Sequence, residues 1–418
     1  MSVPAAYDAA VAARAEELVP TLAIPDLEAR WLATQLEAEV PDDPDEGLER
    51  ARRAVRKYEE ARRPIVAART YELITCITQW TGDLDGALRE SAQLLGRAER
   101  YGLNASVGFA HQWLGEVHLL RWDLQQLEAQ VTLIPQWNFF HDLYPAIQAE
   151  WSGDLEAAVR HLPERDRAGG FAGYVIQATA HRARILLRAG WLDEARAEFE
   201  MWWEIARDLE GPLFFTGFAI EEALSRFAPR EVVEQVYRRG NEKSWRRCNM
   251  TAVQSKDRVQ GLLALHLGLD EDAAAHFSTG LRWAQEQRCP VEHGRCLQGL
   301  AEVAARRGHR DEAVEHLDQA TALFEHHGTN LFLDQAEARK ADLLAASGGR
   351  PRYPDGLTAR EVEVLQLLAA GKSNREIAGE LVISLNTVER HVNHIYTKAG
   401  LANRAEAASY AHRQGLAQ

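Results

Sequence analysis

Residues 357–416 read LTAREVEVLQLLAAGKSNREIAGELVISLNTVERHVNHIYTKAGLANRAEAASYAHRQGL, and the rest of the chain is best understood outward from them. Three segments in this stretch each look like a short helix with its own start signal. Thr358 with Glu361 spells a capping box, and Ser373 with Glu376 repeats the device. Ser384 is suited to cap a third helix through its hydroxyl. Only residues 381–384 separate the second helix from the third, the few-residue turn of a helix-turn-helix unit. Such a pair has one common use, which is to lay its second helix in the major groove of DNA.

Composition agrees with a helical chain. Of 418 residues, 46% are hydrophobic and 26% charged, ordinary values for a globular protein. Ala, Leu, Glu and Arg dominate, and no long Val/Ile/Thr alternation argues for strands. The first twenty residues lack a basic start followed by an apolar core, so no signal peptide is expected. No run approaches the ~18 apolar residues of a membrane span. Cys76, Cys248, Cys289 and Cys296 are too few for a disulfide framework. The expected compartment is the cytoplasm.

The net charge of −14 looks wrong for a DNA binder until it is located along the chain. From Asp355 to Gln418 there are seven Lys/Arg and seven Asp/Glu, so residues 1–354 hold the whole acidic excess. A neutral reader on an acidic body gains little non-specific attraction to phosphate, which leaves its affinity to dimerisation and site sequence.

Upstream, one phrase recurs. It reads GDLDGA from Gly82, GDLEAA from Gly153, GWLDEA from Gly190, GLDEDA from Gly268 and GHRDEA from Gly308, with a degenerate copy from Arg121. Successive starts lie 39, 32, 37, 78 and 40 residues apart, and the 78 implies an eroded copy near Pro229. A period in this range marks a helical solenoid. In the last copy Leu297, Leu300, Ala301 and Ala304 form one helix face, Gly308 ends the helix, and Ala313, Leu317 and Ala320 form the facing stripe. Further helices are expected at 5–18, 26–39, 45–60 and 331–346. The Gly- and Pro-rich run 347–356 reads as a linker.

The expected fold is therefore all-α. A tetratricopeptide-like α-solenoid over residues 1–346 is followed, after the 347–356 linker, by a small four-helix helix-turn-helix domain over 357–418. Residues 357–415 resemble the LuxR/FixJ-type helix-turn-helix domain of bacterial transcription factors. The resemblance rests on LTxRE at 357–361, GKSNREIA at 371–378, Thr387-Val388, His391 and Asn403-Arg404. The whole layout is similar to the sensory and DNA-binding parts of large ATP-binding LuxR-type regulators, without their ATPase domain.

The resemblance implies a helix-turn-helix from Asn374 to Asn393, with a scanning helix over 374–381 and a recognition helix over 385–398. Its DNA-facing positions are Ser384, Asn386, Thr387, Glu389, Arg390, Asn393 and His394, with Lys398 and Arg404 further along. Val388, Val392 and Ile395 form the inward face. By chemistry, Arg390 suits guanine, Asn393 adenine and Glu389 cytosine, although Glu389 bonding only Arg390 or Asn393 is an equal alternative. Many relatives have Lys at the position of Glu389, which puts the usual contact there in doubt. Thr387, Lys398 and Arg404 are candidate phosphate contacts. His391, between the two faces, reads as a packing or capping residue. The final helix, 403–414, resembles the element through which family members pair.

Other chemistry fits the sequence less well. Gly371-Lys372-Ser373 mimics the end of a phosphate-binding loop, but Gln366 stands where the earlier Gly belongs, so neither ATP hydrolysis nor any enzyme activity is expected. Cys289, His293 and Cys296 share a helical face, yet three ligands spread along about 10 Å of one helix suit one metal poorly. No metal and no cofactor are expected. Among the eleven Trp, the cluster Trp137, Phe139, Phe140 and Tyr144 looks aromatic on all sides of a helix. It is a candidate ligand surface, against core packing or a protein contact. The expected partners are double-stranded DNA, a second copy of the chain, a small-molecule effector or partner protein on the solenoid, and RNA polymerase, with no membrane. The alternative is a promoter-bound adaptor whose solenoid is a protein platform without ligand gating.

Overall fold

Gly82, Gly153, Gly190, Gly268 and Gly308 all adopt a left-handed backbone, with φ between +79° and +91°. That conformation is cheap only for glycine, and each of these residues closes the first helix of a pair. Trp122 takes the same conformation at φ +57°. The degenerate copy is thus in register at Trp122, one residue later than its expected start at Arg121. Asp83, Asp123 and Asp154 follow the turn and accept from the backbone N–H of Gly86, Gln126 and Ala157, at 2.8, 3.3 and 2.8 Å. The eroded copy near Pro229 turns without a left-handed residue: Ala228 is extended (φ −82°, ψ 144°) before Pro229.

The computed structural model describes residues 19–22, 24–38, 43–163, 172–207, 220–242, 248–249, 254–345, 353–381 and 385–416. The helices are α1 (Pro25–Ala38), α2 (Pro44–Glu60), α3 (Pro64–Thr81), α4 (Leu84–Arg100), α5 (Asn104–Leu120), α6 (Leu124–Leu133), α7 (Phe140–Ser152) and α8 (Leu155–Arg160). Next come α9 (Ala172–Arg188), α10 (Leu192–Ala206), α11 (Glu221–Phe227), α12 (Arg230–Glu242), α13 (Lys256–Leu267) and α14 (Asp270–Glu286). The chain continues as α15 (Pro290–Arg306), α16 (Arg310–His327), α17 (Asn330–Ala345), α18 (Ala359–Ala369), α19 (Asn374–Leu381), α20 (Leu385–Ala399) and α21 (Arg404–Arg413). Among the described residues the fold is all-α but for one two-residue antiparallel pairing, β1 (Cys248–Asn249) with β2 (Gln254–Ser255). The helix expected at 5–18 lies outside the described residues. No helix among the described residues is long and apolar enough to cross a membrane.

The chain packs as two compact units, 1–150 with 154–292, and 151–153 with 293–418. In both, first helices of successive pairs bond through residues 34 positions apart. Ser106 Oγ donates to Glu72 (2.6 Å) and Gln79 Nε2 to the Trp113 carbonyl (3.3 Å). Arg184 grips both Glu150 oxygens at 3.0 and 2.7 Å, Arg188 Nε donates to Glu222 at 2.9 Å, and Arg258 Nε to Glu292 at 3.0 Å. In the second unit Gln298 Nε2 donates to the Phe332 carbonyl at 3.2 Å. The turns are unevenly spaced, yet this 34-residue spacing recurs at five of the steps between first helices. Between α5 and α7 the bonds instead join Gln112 to Asn138 and Tyr144, 26 and 32 residues on. A buried ion pair adds little net stability once desolvation is counted. Its effect here is that only one register gives every one of these buried charges a partner.

Within each pair, small residues let the helices close. A Cβ on Gly261 would lie 2.7 Å from the Phe277 ring, and one on Gly294 would lie 2.4 Å from Phe324. Ala313, Leu317 and Ala320 of α16 are buried, as are Leu297, Ala301 and Ala304 of α15, while Leu300 is half-buried. The first unit also has a long-range tie. Trp283 Nε1 donates to the Gly82 carbonyl at 3.0 Å, and Arg121 and Arg288 both reach Asp85 at 2.7 Å. The Arg121 hydrogen bond, backed by the Arg288 charge, holds the Asp85 carboxyl below its ordinary range.

Candidate nucleic-acid interface

The carboxyl-terminal helices start where their caps dictate. Thr358 Oγ accepts from the Glu361 N–H while the Glu361 carboxylate accepts from the Thr358 N–H, at 3.2 and 2.7 Å. Ser373 and Glu376 repeat the exchange at 3.3 and 2.7 Å. Asn403 caps α21, accepting from the Glu406 N–H at 3.0 Å, and Glu406 reaches back to the Ala402 N–H at 2.8 Å. The serine hydroxyl and backbone N–H bonds hold the Glu376 carboxyl below its usual range. Gly371, at φ +83°, ends α18, with the Lys372 N–H on the Leu367 carbonyl at 3.1 Å. The apparent phosphate loop is therefore a helix-ending turn.

Four helices close on one core of Leu357, Val362, Leu365, Leu368, Ile377, Val388, Val392, Ile395, Ala407, Tyr410 and Ala411. Val388, Val392 and Ile395 form the buried seam of α20, and His391 is buried beside them. On the opposite side Glu389 and Asn393 are exposed, as base-reading positions must be. Ser384 and the side chains of Asn386, Thr387 and Arg390 lie outside the described residues.

Three candidates are engaged within the protein. Lys398 Nζ lies 2.8 Å from both oxygens of Glu361, whose side chain is 3% exposed. Arg404 donates to the Lys372 carbonyl and to Asn374 Oδ1, the latter at 3.1 Å, joining the start of α21 to the start of α19. Phosphate contacts are expected of both from the family resemblance; in this geometry each ties helices together. His394 lies between Glu361 Oε1 (3.8 Å) and Asp334 Oδ2 of α17 (4.0 Å), and Arg360 lies 3.8 Å from Glu325 of α16. The reader thus touches the last repeat helices of its own unit through His394 of the recognition helix and Arg360 of α18.

Two features of the site have no counterpart in the sequence reading, the Glu361–Lys398 tie and the anchor at Tyr410. The Tyr410 hydroxyl donates to Asp355 at 2.6 Å, and burial with the nearby carboxylate pushes the phenol up to about 12. The capping box is a signal for Glu361, but nothing local points to a partner 37 residues away.

The aromatic cluster requires a correction. Residues 137–139 form a turn before α7, not a helix. Phe139, Phe140 and Tyr144 are at most 1% exposed, packed ring to ring, and the Tyr144 hydroxyl donates to the Gln112 carbonyl at 2.9 Å. Buried rings with satisfied polar atoms offer no face to a ligand. Of the four, Trp137 alone is exposed, at 53%, edge-on to Phe109. Among the described residues, no group of three or more His, Cys, Asp or Glu is arranged to hold a metal ion.

Comparison with known proteins bears on the same region. Residues 355–411 match the family described as bacterial regulatory proteins, luxR family (GerE). The transcriptional regulatory protein LiaR of Bacillus subtilis (strain 168) is 44% identical over 73 residues, 18% of this chain and 35% of LiaR. The oxygen regulatory protein NreC of Staphylococcus aureus (strain JH9) is 47% identical over 60 residues, 14% of this chain and 28% of NreC. The chain therefore spans about a third or less of these relatives' length. Among solved structures, a signal-transduction ATPase with a tetratricopeptide repeat sensor from Pyrococcus horikoshii aligns over 88% of this chain and 52% of its own, at 14% identity and TM-score 0.33. That likeness is loose, and the 34-residue register stands without it. The carboxyl-terminal segment of this chain is a LuxR-type helix-turn-helix domain, matched from residue 355 to residue 411.

Proposed function

We propose that this protein is a DNA-binding transcription regulator in which the helical repeats of residues 1–346 sense a small molecule or a partner protein. Through the 347–356 linker they gate a reader, 357–418, that binds two half-sites as a dimer paired through α21. The observation that carries this reading is α20 itself: a helix buried along Val388, Val392 and Ile395, with Glu389 and Asn393 exposed opposite. Gating is supported by the contacts of His394 and Arg360 with Asp334 and Glu325. A closed form that holds these contacts competes with DNA for the recognition helix. An effector shifts the balance only by binding the open form more tightly than the closed one.

The test is DNA binding by the full chain and by residues 350–418 on a randomised-site pool at fixed salt. Tighter selective binding by the fragment supports gating. Equal binding by both removes gating and favours the adaptor, in which the repeats recruit a protein partner. No selective binding by either sinks the DNA-reading role.

A further inference from the structure

Between α8, α9 and α10 lies a cavity of about 240 Å³. Val159, Leu162 and Leu186 form its apolar wall, and the start of α10 supplies Trp191, Glu194, Ala197 and Glu198. Positions 191, 194 and 198 fall at i, i+3 and i+7, so one face of the helix brings an indole and two carboxylates to the cavity. Leu186 is 3% exposed at the floor, while Trp191 and Glu194 are exposed at the mouth. A volume just below the roughly 300–1,000 Å³ of drug-sized sites suits a small molecule.

The charges of the cavity are unequal. Arg182, the basic group of the wall, is already engaged: its Nε donates to Glu198 Oε1 at 2.6 Å and its Nη1 to the Pro163 carbonyl at 3.0 Å. Glu198 is 1% exposed, so this pair is a neutral unit within the wall. Glu194 makes no ion pair with any other described residue, which leaves the cavity a negative charge at its mouth. Trp191 stands just after the left-handed turn residue, where Asp83, Asp123 and Asp154 cap their helices. It makes no cap bond, as Leu269 and His309 make none, and it also leaves half of an indole in water. A lost cap and an exposed ring both cost stability, and a local rule broken at a cost is expected at a functional site.

We propose that this cavity binds a small organic cation with an apolar body, its ammonium against Glu194 and the Trp191 ring and its hydrocarbon on Val159, Leu162 and Leu186. This deepens, and rests on, the reading of the repeats as a small-molecule sensor. An indole face attracts a cation through its quadrupole, and the neighbouring carboxylate adds opposite charge and acceptors for the ammonium donors. An anion would meet Glu194 at the mouth and find Arg182 already bonded. An uncharged apolar molecule would leave both Glu194 and the ring quadrupole unused. Ala197, the smallest side chain of the wall, keeps the space open.

The experiment is calorimetric titration of the full chain with benzylammonium chloride and with butylammonium chloride at fixed ionic strength. Benzyl alcohol and sodium benzoate serve as the uncharged and anionic counterparts of the first. Saturable binding of at least one cation is expected, tighter than either counterpart by about tenfold or more. Glu194→Gln and Trp191→Ala change exposed positions, so the fold should survive, and each should weaken binding by about two- to thirtyfold. Ala197→Leu should abolish binding by filling the cavity. No saturable binding of either cation, equal binding of benzyl alcohol or benzoate, or undiminished binding in any of the three variants overturns the site. Glu194-dependent binding that leaves DNA affinity unchanged keeps the site and removes gating through it. No binding, with DNA affinity still different between the full chain and residues 350–418, removes the site and leaves the gating reading intact.

Discussion

Lys398 Nζ lies 2.8 Å from both carboxylate oxygens of Glu361, so the last turn of the recognition helix is bolted to the first turn of α18. Glu361 also caps its own helix, and one buried carboxylate therefore sets both the start of α18 and the seat of α20. Replacing Lys398 with Ala leaves that carboxylate short of its cationic partner. The expected loss is about 1–3 kcal/mol in the stability of the reader, at the lower end because Lys398 is partly exposed. Chemical denaturation checks it. Unchanged stability with weaker DNA binding would return Lys398 to the phosphate contacts.

Asn393 is exposed on the face opposite the buried seam. Substituting Ala at Asn393, or at Arg390, should cost about 1–3 kcal/mol on the preferred site and relax preference at one base position. Selection from a randomised pool reads this directly. Equal weakening on every sequence would mean that the lost contact was to phosphate.

His394 sits 4.0 Å from Asp334 of α17. Asp334→Asn weakens a contact between partly exposed groups, worth about 0–1 kcal/mol. If that contact holds the reader closed, DNA affinity of the full chain should rise by up to about fivefold, and that of residues 350–418 should not depend on it. Unaltered affinity of the full chain would show that the contact does not compete with DNA.

Glu150 is fully buried and bonded by Arg184 and Arg188. Truncating it to Ala strands the buried Arg184 guanidinium, while Arg188 keeps Glu222, and the expected loss is about 3–5 kcal/mol. Denaturant unfolding of the full chain measures it. A loss below about 1 kcal/mol would show that water replaces the carboxylate and that the register is not held there.

Glu116 ties stability to pH in the direction opposite to a paired carboxylate. Its folded value is raised well above 4.5 by burial, so the unfolded chain ionises first as pH rises. The folded state then binds more protons than the unfolded one, and stability falls from about pH 4.5 up to the raised value. Glu116→Gln removes this slope. The variant should melt above the wild-type chain at about pH 7–8, and the two should converge toward pH 4.5. A constant gap across that range would mean that Glu116 stays ionised in the folded chain.

Local patterns in the sequence determined the caps at Thr358 and Ser373, the limits of α19 and α20, the buried Val388–Val392–Ile395 seam and the left-handed turns at five glycines. Each depends on residues within a helical turn or two, and chain neighbours decide such features before anything packs. The degenerate copy is offset by one residue from its sequence pattern because Trp122, rather than a glycine, accepts the strained backbone. Only the tertiary structure decided which side chains meet across repeats. The 34-residue register, the Glu361–Lys398 tie and the burial of Phe139, Phe140, Tyr144 and Glu116 all follow from helix packing. A charged or aromatic residue looks the same in sequence whether its neighbour in space is solvent, an arginine or nothing at all. The physical difference lies in desolvation and pairing, and both are set only when distant helices come together.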